Sequence, residues 1–189
     1  MFLASLESKQ VRGLMKHEAY HLIFEHCTSR IRKPFRTWNW ATDFAINSLI
    51  PRNELPDVGL FPGEALKLDH IKDPVQLAKW KKVSDLVESF PPNQSAEWYM
   101  TKLLEDKEAN DAISGQGEPG DGSGDGGDQF TFDDHEGWEE LSDEEKQLAK
   151  GMIKQILKDA VSKCDKKGEW GSVPAGTREQ LRKLVNNDV

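Results

Sequence analysis

The chain has no apolar run near the roughly 18 residues that a membrane-spanning helix requires. Its opening, "MFLASLESKQ", meets serine, glutamate and glutamine too soon to form the apolar centre of a secretory signal. A cytoplasmic protein with no membrane attachment is the expectation. Cysteine is scarce as well: Cys27 and Cys164 stand far apart and form no CxxC pair. That excludes a disulfide framework and a cysteine-based zinc knuckle, so any metal has to be held by histidine and carboxylate. There is no glycine-rich phosphate loop ahead of a helix, and no internal repeat.

Positive charge is short too. The 25 Lys and Arg against 33 Asp and Glu give a net charge of −8. The shortfall is local: residues 1–40 hold seven basic and three acidic side chains, whereas residues 97–147 hold three basic and seventeen acidic (3 − 17 = −14). Phosphate backbones need a basic surface and the larger block here is acidic, which argues against nucleic acid as a partner. The acidic block keeps one exception in view, an inhibitor that imitates DNA. The basic run "RIRKPFR" reads as a solvated turn, with a grip on an acidic partner as the alternative.

What is present is helical pattern. With 37% hydrophobic residues in a 189-residue chain, a core can be built, and the fold class expected is mostly α with minor β. Residues 7–27 have helical periodicity, with Val11, Leu14, Met15, Leu22 and Phe24 on the same broad arc as His17, Glu18 and His21. "FRTWNWATDFAINSLI" is a second helix, largely apolar, with Asn39, Asp43 and Asn47 in a polar file at i, i+4, i+8. Buried polar groups need partners, since each one left without costs about 1–3 kcal/mol. Residues 51–74, rich in proline, predict an ordered loop, followed by helices over 75–90 and from the Ser95 cap to about 111.

The domain division expected is a helical core over 1–112, a flexible acidic glycine-rich linker over 113–129, and a C-terminal strand-and-helix segment over 130–189 that packs back on the core. Within the linker a DxSxD pattern suggests a calcium loop but lacks the closing glutamate. "QFTFDDHEGW" alternates like a short strand, and Ser142 with Glu145 forms a capping box ahead of a long amphipathic helix.

The chemistry sits in "HEAYH", residues 17–21. On a helix, side chains at i and i+4 lie about 6 Å apart on one face, close enough for two imidazoles to share a zinc ion. Glu18, about 100° round, stands beside the ion and can relay a proton from an attacking water to a leaving amine. The competing reading is a plain helix whose histidines donate to carbonyls. A third ligand is needed. Asp43 is best placed, on the next helix and 22 residues beyond His21, with Asn39 and Asn47 to orient the ligands. The alternatives are His26, which an unbroken helix would carry half a turn from His17, and His135. The latter, next to Asp133 and Asp134 in "FDDHEGW", is also a candidate to steady an oxyanion. His70 in "KLDHIKDP" has no supporting pattern and reads as a surface residue.

Taken in order, "HEAYHLIFEHCTSR", "WNWATDFAIN", "PP…SAEWYMTKL", "FDDHEGW" and "GSVPAGTREQL" resemble the metallopeptidase-like domain that precedes a von Willebrand A-like domain in many bacterial proteins. The resemblance covers most of residues 11–182. It implies a zincin-like helical cradle, one zinc ion on His17, His21 and Asp43, Glu18 as general base, and a protein or peptide substrate. Two departures shape the expectations. No von Willebrand A-like region follows, which suggests a stand-alone form of the kind a phage or a compact operon would carry, virion-associated in the first case. Only sixteen residues precede His17, where the family has a β-rich stretch that would align substrate. "QFTF" or a partner subunit in an oligomer would then supply that strand; otherwise the domain keeps its metal as a non-catalytic scaffold or assembly component.

Overall fold

A computed structural model describes residues 6–114, 130, 142–171 and 173–186. Among them are seven α-helices and no strand: α1 (Ser8–Ile23), α2 (Phe35–Asn47), α3 (Pro74–Glu88), α4 (Ala96–Glu105), α5 (Lys107–Ser114), α6 (Asp143–Lys167) and α7 (Ala175–Asn186). The fold is mostly α, as expected. The predicted strand over "QFTFDDHEGW" and most of the predicted linker lie outside the described residues, apart from Phe130. No described helix is long and apolar enough to cross a membrane.

The helix starts follow local chemistry. Asp73 accepts from the Gln76 amide at 2.8 Å ahead of Pro74, Ser95 accepts from Trp98 at 3.2 Å, and Ser142 and Glu145 close the predicted capping box on α6. The predicted single helix from Ser95 to 111 is divided, and α5 continues to Ser114 with Ile113 buried. Asp106 makes the division: its side chain accepts from the Ala109 amide at 2.9 Å, so it caps α5. The loop 51–74 contains one 3₁₀ turn, Arg52–Glu54.

α2 is the hub. Nine of its 13 residues are buried, on nearly every side, as fits a helix packed around its circumference. Trp40 stacks on Trp80 of α3 at 5.8 Å, and Phe44 meets Phe90, just past α3, at 5.6 Å and Tyr99 of α4 at 5.4 Å. Phe130 closes this cluster against Trp80 at 5.0 Å. A second cluster, Tyr20, Ile46, Ile50, Leu55 and Phe61, lies between α1, the end of α2 and the loop that follows.

α1 presents a narrower face than the broad arc predicted. Gly13, Leu14, His17, Tyr20 and His21 are buried, whereas Met15 is 68% exposed and Leu22 45%. The buried positions cluster within about a third of the circumference; Met15 and Leu22, seven apart, share the opposite side. Gly13 is fixed by contact, since a Cβ there would lie 1.9 Å from the Glu54 carbonyl oxygen. Lys16, one turn on, pairs with the Glu54 carboxylate and holds the same approach.

A candidate metal centre between α1 and α2

His17 and His21 leave α1 one turn apart toward α2, which returns Asp43 to them. His17, His21 and Asp43 are 0%, 1% and 0% exposed. The two Nε2 atoms are 3.1 Å apart, and Asp43 Oδ1 lies 3.3 Å from that of His21 and 3.7 Å from that of His17. Tetrahedral zinc with bonds of about 2.0–2.1 Å separates its donors by about 3.3–3.4 Å. The three edges bracket that value, and the set, two imidazole nitrogens and a carboxylate oxygen, suits a borderline divalent cation. This buried group is suited to hold a metal ion.

Each ring is turned toward that point from behind. Asn47 Nδ2 donates to the Leu60 carbonyl at 2.8 Å, which leaves its Oδ1, 2.8 Å from His17 Nδ1, to accept. His17 therefore carries its proton on Nδ1 and aims the Nε2 lone pair forward. Behind His21, Nδ1 faces His26 Nδ1 at 3.4 Å. A polar partner on the far nitrogen is the usual support for a metal-binding imidazole. Asn39, predicted for the same duty, is half-buried and engages Thr42 through its carbonyl. Each i+4 step drifts about 40°, so the file of Asn39, Asp43 and Asn47 cannot all converge on one point.

The position of His26 departs from expectation. α1 stops at Ile23, with Glu25 in the left-handed region at φ 57°. The Glu25 amide donates to Leu22 O at 3.1 Å and the His26 amide to His21 O at 3.0 Å, the bond pair of a Schellman motif with glutamate where glycine is usual. This reversal returns His26 to His21 instead of carrying it half a turn away, and leaves it 2% exposed. It is not one of the three converging donors. Trp38 fixes the turn from α2: its Nε1 donates to the His26 carbonyl at 3.1 Å, and the two rings meet edge to face. Arg30 binds the Phe24 carbonyl at 3.2 Å and Glu97 of α4 at 2.6 Å, clamping the same segment to the core.

The family described as "putative metallopeptidase domain" matches residues 1–182. The chain belongs to this family. No curated protein and no solved structure matches it.

The remaining sequence candidates of this family member lie as follows. Glu18 is exposed on α1, at the border of the buried face. His135, with Asp133 and Asp134, lies outside the described residues. His70 is exposed, as expected, with its ring 5.3 Å from Phe130. Cys27, next in sequence to His26, is buried; burial pushes its thiol pKa up, a backbone hydrogen bond partly offsets this, and the charges of Glu18 and Glu25 add to the rise. Sequence reading missed Trp38 as the anchor of the His26 turn and Gly13 as the contact point of α1. The first has no signal beyond an aromatic residue, and the second was visible only as the one glycine of α1.

Proposed function

We propose that the protein is a zinc-dependent peptidase that hydrolyses peptide bonds in a protein or peptide substrate, with one zinc ion per chain on His17, His21 and Asp43. The observation that carries this reading is the triangle of three buried donors at zinc-like spacing, contributed by HExxH and a second helix in a chain of the metallopeptidase family. Bound there, zinc would supply Lewis-acid polarisation of a carbonyl and would acidify a water. His17 and His21 present neutral lone pairs, and Asp43 offsets one of the two positive charges. Asn47 and His26 keep the rings in register. Glu18 takes the proton of the attacking water and hands it to the departing amine. His135 donates a hydrogen bond to the oxyanion of the tetrahedral intermediate.

A second reading is favoured by one observation, the near-zero exposure of all three donors. Structural zinc sites are closed and catalytic ones keep a position open. On this reading the metal is a clasp joining α1 to α2 in a non-catalytic scaffold or assembly component.

Glu18→Gln separates the two. For the peptidase, cleavage of an unstructured protein such as casein falls by about 10²–10⁴-fold in the variant while zinc content and helicity are unchanged. Wild-type protein that carries a full equivalent of zinc, cleaves nothing, and is unaffected by the substitution would leave the clasp.

A further inference from the structure

α6 runs for 25 residues, yet Val161 is its single buried residue. Its inner side, with Leu157 and Val161, meets Leu181 and Val185 of α7 and Ile23 of α1. Lys150 pairs with Glu25 at 3.1 Å. The outer side carries Leu148, Met152 and Ile156, 67%, 59% and 65% exposed. Spaced at i, i+4, i+8, they form one stripe along the helix. Helices in proteins draw most of their stability from packing such a stripe, and this one faces away from every described element.

The charges beside the stripe say what fits it. Asp143, Glu144 and Glu145 occupy the first turn, and Lys163, Lys166 and Lys167 the end of the helix. Of these, Glu145, Lys163 and Lys166 project on the same side as the stripe, by their spacing from Met152, and so does Asp159, one turn past Ile156. The surface is therefore acidic at its start, apolar in the middle and basic at its end, with one acid, Asp159, between the last two. Such a pattern is complementary to itself when two copies lie antiparallel, and clashes with itself when they lie parallel, acid on acid and lysine on lysine.

We propose that α6 is a self-association surface: two copies of the chain pair antiparallel through it, Met152 of each meeting Ile156 of the other, with the acidic first turn of each over the lysines that end its partner. Three apolar side chains fall well short of the ~800 Å² per partner of a standard interface, so the pair is a reversible one that dissociates on dilution. The contact is independent of the metal and of the reaction at it.

Sedimentation equilibrium on the full chain, over a dilution series, reads this directly. The mass rises from one chain toward two with concentration, and Met152→Glu holds it at one chain throughout. Lys163→Glu combined with Lys166→Glu sets acid against acid and raises the apparent dissociation constant by about tenfold or more at low salt. Added salt weakens association of the wild type and strengthens that of the double variant. All these positions are exposed, and circular dichroism confirms that helicity is kept. Three outcomes would overturn the proposal: one-chain mass at every concentration, a dimer that survives Met152→Glu, or the same salt response in wild type and double variant.

Discussion

The imidazoles of His17 and His21 are each backed by a polar atom on the nitrogen that faces away from Asp43. That support is worth about 10–100-fold in metal affinity at comparable sites. Asn47→Ala and His26→Phe are each expected to weaken zinc binding by that factor in competition with a chromogenic chelator, while Asn39→Ala leaves it unchanged. Equal effects of all three would show that the half-buried Asn39 matters as much as the two groups in contact. At this scale the sequence was legible where helical arithmetic applies. Residues 17 and 21 share a face by spacing alone, and a carboxylate in the middle of the next helix is where an antiparallel neighbour delivers it. His26 was not legible in the same way. Its place depends on Glu25 adopting a left-handed conformation that glycine normally signals and glutamate does not.

Among the elements, α1 is held by close backbone approach at one end and by a clamped turn at the other. Gly13→Ala drives a methyl group into the Glu54 carbonyl, so a cost of about 2 kcal/mol or more in urea unfolding is expected. At the other end, burial alone would raise the Glu97 pKa. The hydrogen bond from Arg30, a backbone amide and the charges of Arg30 and Arg32 outweigh it and hold the carboxyl below its ordinary range. A depressed folded pKa adds stability that is present above the unfolded value of about 4.3 and is lost as pH falls through the folded value. The pair is about a third exposed, so the contribution is modest, about 0.5–1 kcal/mol. Glu97→Gln should lower stability by that amount at pH 7 and by nothing once the wild-type carboxyl is protonated; an equal deficit at both pH values would contradict the assignment. Most helices were legible from period and caps, Ser95, Ser142 and Glu145 among them. The break between α4 and α5 was not, because the apolar period runs through it. Only the capping chemistry of Asp106 marks it.

Across the whole molecule, the donor triangle joins α1 to the helix at the centre of the aromatic core. An ion bound only by the folded state stabilises it by RT ln(1 + [L]/Kd), about 4 kcal/mol at a thousandfold excess over Kd. Chelation should therefore lower the melting temperature of the wild type and restore it on adding zinc, while Asp43→Ala melts at the same temperature with or without chelator. Indifference of the wild type to chelation would indicate that the triangle holds no ion in solution. Zinc-edge anomalous diffraction from a crystal of the full chain is the most direct measurement. The result expected is a single peak about 2.0–2.2 Å from His17 Nε2, His21 Nε2 and an Asp43 carboxylate oxygen. A crystal grown with zinc that shows no peak between these three side chains, or a peak elsewhere alone, would contradict the metal centre on which the proposed chemistry stands.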